Sequence, residues 1–261
     1  MYNYCNTKLF TSCSTFMISI NNISKSFGNK IILDNLSFTI HHGDKIAIIG
    51  QSGIGKSVLL KSIIGLLSPD NGSVIIDDQD VNKISFKKLQ KLRSKFGMVF
   101  QFGALFDSMT VGENIGLALQ KLTNCDRFEI NERISNSLLE VNMENTQDKM
   151  PSELSGGMKK RVGIARAIAL NPEYMLYDEP TTGLDPIMTD SINRLINNFH
   201  GKGNVTSVVV THEMKTVRDV SERVIMLYKG KIQFDGTTEN FLNSNDPIVV
   251  AFLNGDSTYK G

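Results

Sequence analysis

The chain's pattern predicts an α/β fold: a parallel-sheet core, an antiparallel β lobe, and a helical subdomain inserted between two halves of the core. Three observations carry that expectation. Strand-like and helix-like segments alternate through much of the 261-residue chain, the pattern of a parallel sheet. The apolar run Lys45–Ile49 leads through a glycine-rich turn straight into a helical pattern over Lys56–Leu67. Between residues 101 and 170 the β signal fades and helical spacing replaces it.

The elements follow in order. Ile18–Phe27 and Ile31–Ile40 alternate enough to read as strands of the antiparallel lobe, with Gly28-Asn29 as their turn. Pro69-Asp70-Asn71-Gly72 makes a turn before a strand over Ser73–Asp77. Ser85–Lys95 reads as a basic surface helix and Phe96–Phe100 as a buried strand. Val111–Lys121 and Glu129–Val141 have helical spacing, and Ser155–Leu170 reads as a capped helix. Strands are expected again at Tyr174–Tyr177, Val205–Val210, Arg223–Tyr228 and Ile232–Asp235. Helices Met188–Asn198 and Met214–Val220 fall between the first three. This gives one domain over 17–255, with core segments 17–100 and 171–245 around the helical subdomain at 101–170. A short C-terminal tail is expected over 246–261. Residues 1–16 are polar and rich in Thr, Ser and Asn, and Met17 opens directly into strand-like sequence. They read as a disordered tail or an over-called start.

Composition narrows the function classes. With 41% hydrophobic and 21% charged residues, the chain can bury an ordinary core. A net charge of +1 gives no global pull toward nucleic acid or anionic lipid. The three cysteines, Cys5, Cys13 and Cys125, are odd in number and form no CxxC, so neither a disulfide framework nor a zinc site is expected. No stretch approaches the roughly 18–20 apolar residues of a membrane span. The first sixteen residues lack the apolar core of a signal peptide. The chain is expected to be soluble, or peripheral through a partner.

Gly50-Gln51-Ser52-Gly53-Ile54-Gly55-Lys56-Ser57 fits GxxxxGK[ST] between a predicted strand and a predicted helix. Glycines let successive backbone N–H groups turn into one concavity, and the helix adds its positive N-terminal end. In such a loop Lys56 reaches the β- and γ-phosphates of a nucleotide, and Ser57 gives a hydroxyl to Mg²⁺. Tyr174-Met175-Leu176-Tyr177-Asp178-Glu179-Pro180 is an apolar strand ending in two carboxylates. Asp178 is placed to hold Mg²⁺ through water, and Glu179 to polarise an attacking water. Both belong at the carboxyl edge of the sheet, where open α/β sheets bind ligands.

Leu154-Ser155-Gly156-Gly157-Met158 opens a helix carrying Lys159, Lys160, Arg161 and Arg166. The Ser155 hydroxyl and the glycine N–H groups form a second anion site at a helix start. The order is specific: phosphate loop, Gln101, LSGGM, YDEP, Gly183-Leu184-Asp185-Pro186, then His212 after Val208-Val209-Val210. From Ile18 onward the chain resembles the ABC ATPase family. The resemblance implies a RecA-like P-loop core and two copies meeting head to tail, with each ATP held between one copy's phosphate loop and the other's signature segment. It implies that Ser155, Gly156 and Gly157 cap the γ-phosphate held by the other copy, and that Gln101 touches Mg²⁺ and water. Asp185 is then expected to cross the interface, and His212 to contact the γ-phosphate. Phe27 takes the place of the aromatic that stacks on adenine, or else serves the lobe's core. Met158 stands where most of the family has Gln.

Phe100–Val111 with Glu113-Asn114, Pro151–Met158, and Asp246–Gly255 are similar to the ATPases of Mla/MCE-type phospholipid transporters. That implies an ATPase subunit on the cytoplasmic face of the inner membrane, peripheral through an integral membrane permease accompanied by an MCE-domain protein. It implies no nucleic acid and no direct lipid contact. The segment after Gln101 is where such ATPases meet the permease, so Phe102, Leu105 and Phe106 serve either that contact or the subdomain core. The ATPase of a small-solute importer, or a non-transport ABC ATPase such as an iron–sulfur cluster assembly factor, shares the same core.

Overall fold

Two sheets face each other across a shared apolar core in the computed structural model, which describes residues 17–201, 203 and 205–256. The expectation for residues 1–16 lies outside the described residues. The smaller sheet is the antiparallel lobe, with order β2-β1-β4-β5. Its strands are β1 (Met17–Phe27), β2 (Lys30–His41), β4 (Asn71–Ile76) and β5 (Gln79–Asp80). The two-residue β5 is too short to leave a period in the sequence. The larger sheet has order β10-β9-β3-β8-β7-β6. It comprises β3 (Lys45–Ile49), β6 (Phe96–Val99), β7 (Tyr174–Asp178), β8 (Thr206–Thr211), β9 (Arg223–Tyr228) and β10 (Lys231–Thr237). All run parallel except the edge strand β10.

The strands of this sheet are buried on both faces, and their alternation sorts side chains between two cores. Tyr174 and Leu176 of β7, with Val208 and Val210 of β8, face the β lobe and α1 (Lys56–Ile63). Met175, Tyr177 and Val209 face the opposite way, toward the inserted helices. That insert contains α3 (Val111–Leu122), α4 (Arg127–Glu140) and α5 (Gly156–Ile168). Thr110 with Glu113, and Asp126 with Glu129, close capping boxes that fix where α3 and α4 begin. A basic helix, α2 (Phe86–Arg93), precedes β6, and α6 (Pro186–Gly201) and α7 (Met214–Val220) flank β8.

Most element ends shift by one to three residues from the sequence expectation, and two differences are larger. α1 stops at Ile63 because Gly65 turns left-handed at φ +65° and the Leu66 N–H donates back to the Lys61 carbonyl. Residues 246–261, set apart as a tail, begin with a capped helix, α9 (Pro247–Leu253), which follows the short α8 (Thr238–Leu242). The Asp246 carboxylate accepts from the Ile248 and Val249 N–H groups, Pro247 occupies the first turn, and Val249 is fully buried against β3 and β9.

Candidate functional site

Four neighbouring strands, in the order β3-β8-β7-β6, end on one edge of the parallel sheet. Their carboxyl ends deliver the phosphate loop, His212, Asp178 with Glu179, and Gln101 to a common place. The edge forms a cleft of about 320 Å³ lined by Phe27, Lys56, Ser57, Gln101, Glu179 and His212, among others.

The phosphate loop is built by glycines that no other residue replaces cheaply. Gly50 lies at φ +148°, and a Cβ there would come 2.6 Å from the Leu227 carbonyl oxygen. Gly55 lies at φ +113°, and a Cβ would come 2.7 Å from Ile32 Cγ2. Inside the loop the Lys56 ammonium donates to the carbonyls of Gly50 at 2.8 Å and Gln51 at 3.1 Å, and sits 3.5 Å from Glu179 Oε1. Burial pushes the Lys56 ammonium below its ordinary range, against the pull of Glu179. The Ser57 hydroxyl donates to Asp178 Oδ1 at 2.8 Å. Burial raises the Asp178 carboxyl, opposed by the Ser57 hydroxyl.

Glu179 takes a left-handed backbone at φ +52°, with its N–H bonded to the Val210 carbonyl at 2.9 Å. Its Oε2 accepts from the Thr182 hydroxyl at 2.8 Å and lies 2.8 Å from His212 Nδ1. Its carboxylate therefore touches three groups at once: Lys56, Thr182 and His212. Phe27 is half exposed at the rim, which answers the core alternative: its ring is open to the cleft, with Lys25 Nζ 5.7 Å from its centroid.

Not every expected residue gathers here. Ser155, Gly156, Gly157 and Asp185 do not line the cleft. Ser155 caps α5, its hydroxyl accepting from the Met158 N–H at 3.3 Å. Asp185 accepts from the Ile187 and Met188 N–H groups at 2.9 Å and opens α6. Both Ser155 and Asp185 are exposed. Sequence reasoning missed Thr182, Lys160, and the apolar wall of Ile32 and Val58 beside Phe27. Thr182 and Lys160 act through single hydrogen bonds and leave no periodic signal.

The ABC transporter family model matches residues 33–182, more than half of the chain. The chain belongs to the ABC transporter family. It is 40% identical over 238 residues to the "Probable ribonucleotide transport ATP-binding protein mkl" of Mycobacterium tuberculosis, covering 91% of this chain and 66% of that protein. It thus spans slightly less than two thirds of the mycobacterial relative. It is 38% identical over 241 residues to the "Intermembrane phospholipid transport system ATP-binding protein MlaF" of Haemophilus influenzae, covering 92% of this chain and 91% of that one. The "Methionine import ATP-binding protein MetN" of Carboxydothermus hydrogenoformans is 40% identical over 242 residues, 91% of this chain and 72% of that protein. Among solved structures, the dimeric post-hydrolysis state of the ATP-binding cassette MJ0796 bound to ADP and Pi matches with a TM-score of 0.79 and 33% identity. The match covers 85% of this chain and 98% of that one. The fold is that of an ABC ATPase. Among the described residues, no helix is long and apolar enough to cross a membrane.

Proposed function

We propose that this chain hydrolyses ATP as one of two cassettes closing around nucleotide, and that closure drives a membrane permease carrying phospholipid or another lipid across the envelope. One observation carries the two-copy reading. Lys56, Glu179 and His212 meet in one cleft, whereas Ser155, Gly156, Gly157 and Asp185 of the same chain stand outside it and face solvent or other contacts. A second copy would bring its exposed Ser155 and Gly156 over the phosphate loop, with the α5 N-terminus directed at the γ-phosphate. The MJ0796 cassette bound to ADP and Pi is likewise a dimer.

Within the cleft Lys56 and the loop N–H groups bind the phosphates, and Phe27 offers a face for adenine. Glu179 accepts the proton of an attacking water, and His212 at 2.8 Å holds that carboxylate in place. Ser57 and Asp178 fit a Mg²⁺ ion: their oxygens converge, and a cation there would favour the ionised carboxylate that burial disfavours. A bound Mg²⁺ supplies neutralisation of phosphate charge.

The lipid reading rests on the segment after Gln101. Phe102 is 81% exposed and Phe106 is 52% exposed, while Leu105 packs against the subdomain core. Two exposed aromatic rings in the segment that follows Gln101 suit a permease contact. Similarity across 91% of MlaF, whose name gives it to an intermembrane phospholipid transport system, supports a lipid system; an MCE-domain partner and a place at the inner membrane are part of the same proposal. Similarity to MetN supports a second reading, the cassette of a methionine or other small-solute importer. Co-purification of the tagged chain from mildly solubilised membranes separates them. An MCE-domain protein with its permease supports the lipid reading, and a solute-importer permease overturns it.

A further inference from the structure

We infer that Lys160 is a positioning residue that ties the Ser155–Gly157 end of α5 to Glu179 within one copy, and so links the two ATP sites of the two-cassette assembly. The inference rests on the two-copy reading above. Lys160 lies in the second turn of α5, directly behind the glycines that open the helix. It is buried, at 7% exposure, and its ammonium donates to the Thr182 carbonyl at 2.5 Å. The hydroxyl of that same Thr182 donates to Glu179 Oε2. A continuous path therefore runs from the helix start through Lys160 and Thr182 to the water-activating carboxylate. A second contact reinforces it: Gly157 is buried beside the methyl of Met188, so the start of α5 rests on the first turn of α6, which Asp185 precedes.

The consequence follows from which site each end serves. In a head-to-tail pair, Ser155 and Gly156 bind the nucleotide held by the other copy, whereas Glu179 acts on the nucleotide held by its own. A charge-assisted bond at the centre of that path resists independent movement of the two ends. Filling one site would set the carboxylate of the other, and reaction rate depends steeply on that placement. Lys160 is buried and does not line the cleft, so its loss should spare nucleotide binding.

The test uses the full chain in the membrane complex with which it co-purifies. Lys160→Met keeps the length and burial of the side chain and removes the donor. We expect KM for ATP within about twofold of wild type, kcat lower by about tenfold to 100-fold, and loss of cooperativity in ATP. Lys160→Arg should restore most of kcat and the cooperativity. Unchanged kcat and cooperativity in Lys160→Met would overturn the inference. So would failure of Lys160→Met combined with Glu179→Gln to dimerise on ATP, because Lys160 would then be merely structural. If Glu179→Gln alone fails to dimerise on ATP, the two-copy reading falls instead.

Discussion

Glu179 sits in a left-handed conformation that non-glycine residues occupy at a cost, and its carboxylate is held from three sides. Such over-determination suits a group that must meet one water in one direction. Glu179→Gln keeps the size and the acceptor oxygen but removes the proposed base. Turnover is expected to fall by about 100-fold or more with ATP affinity retained, read by phosphate release and nucleotide titration. Asp178, Glu179 and Lys56 were legible in the sequence because each stands at a fixed offset from a strand or helix boundary. Thr182 and Lys160 were not, since their link spans 22 residues and depends on how α5 lies against the following loop. A different residue contributes to the response to acid. Burial, helped by the Lys45 ammonium and opposed by Glu222, holds the His200 imidazole below its ordinary range. The unfolded chain then takes up a proton that the folded chain resists. Stability should fall as pH drops through the unfolded value of about 6.5 and level off below the folded value. His200→Gln should flatten that decline in thermal melts between about pH 7 and pH 5.

The phosphate loop between β3 and α1 depends on its glycines as much as on Lys56. Gly55→Ala places a methyl against Ile32 and Leu33 with φ at +113°, so the loop must shift. ATP affinity should drop by about tenfold or more, roughly 1.4 kcal/mol, measured by calorimetry, while the far-UV spectrum stays unchanged. Strands and the long helices were readable because apolar runs and helical spacing mark them: β3, β7 and β9, and the starts of α3 and α4, sit at or within about a residue or two of the expected places. The exceptions have local causes. β5 is two residues long, and α9 is seven residues whose role comes from burial of Val249 against β3 and β9, a tertiary contact that sequence spacing does not announce.

On the proposed two-copy reading, a single copy presents half of two sites rather than one complete site. Its cleft holds the phosphate loop, carboxylates and His212, and its other face offers Ser155 and Gly156 at the start of α5 and Asp185 at the start of α6. The sequence made this division legible only through resemblance to a family, since no periodicity says which residues act on a neighbour's ligand. Ser155→Arg places a bulky cation where the second nucleotide's phosphate would sit. It should leave ATP binding to the cleft intact yet block association. The most direct test is the solution mass of Glu179→Gln by light scattering, with and without ATP and magnesium, beside the same protein carrying Ser155→Arg. ATP should double the mass of Glu179→Gln and leave the double variant a monomer. A mass that ATP does not change, in a protein shown to bind ATP, would contradict the two-cassette site.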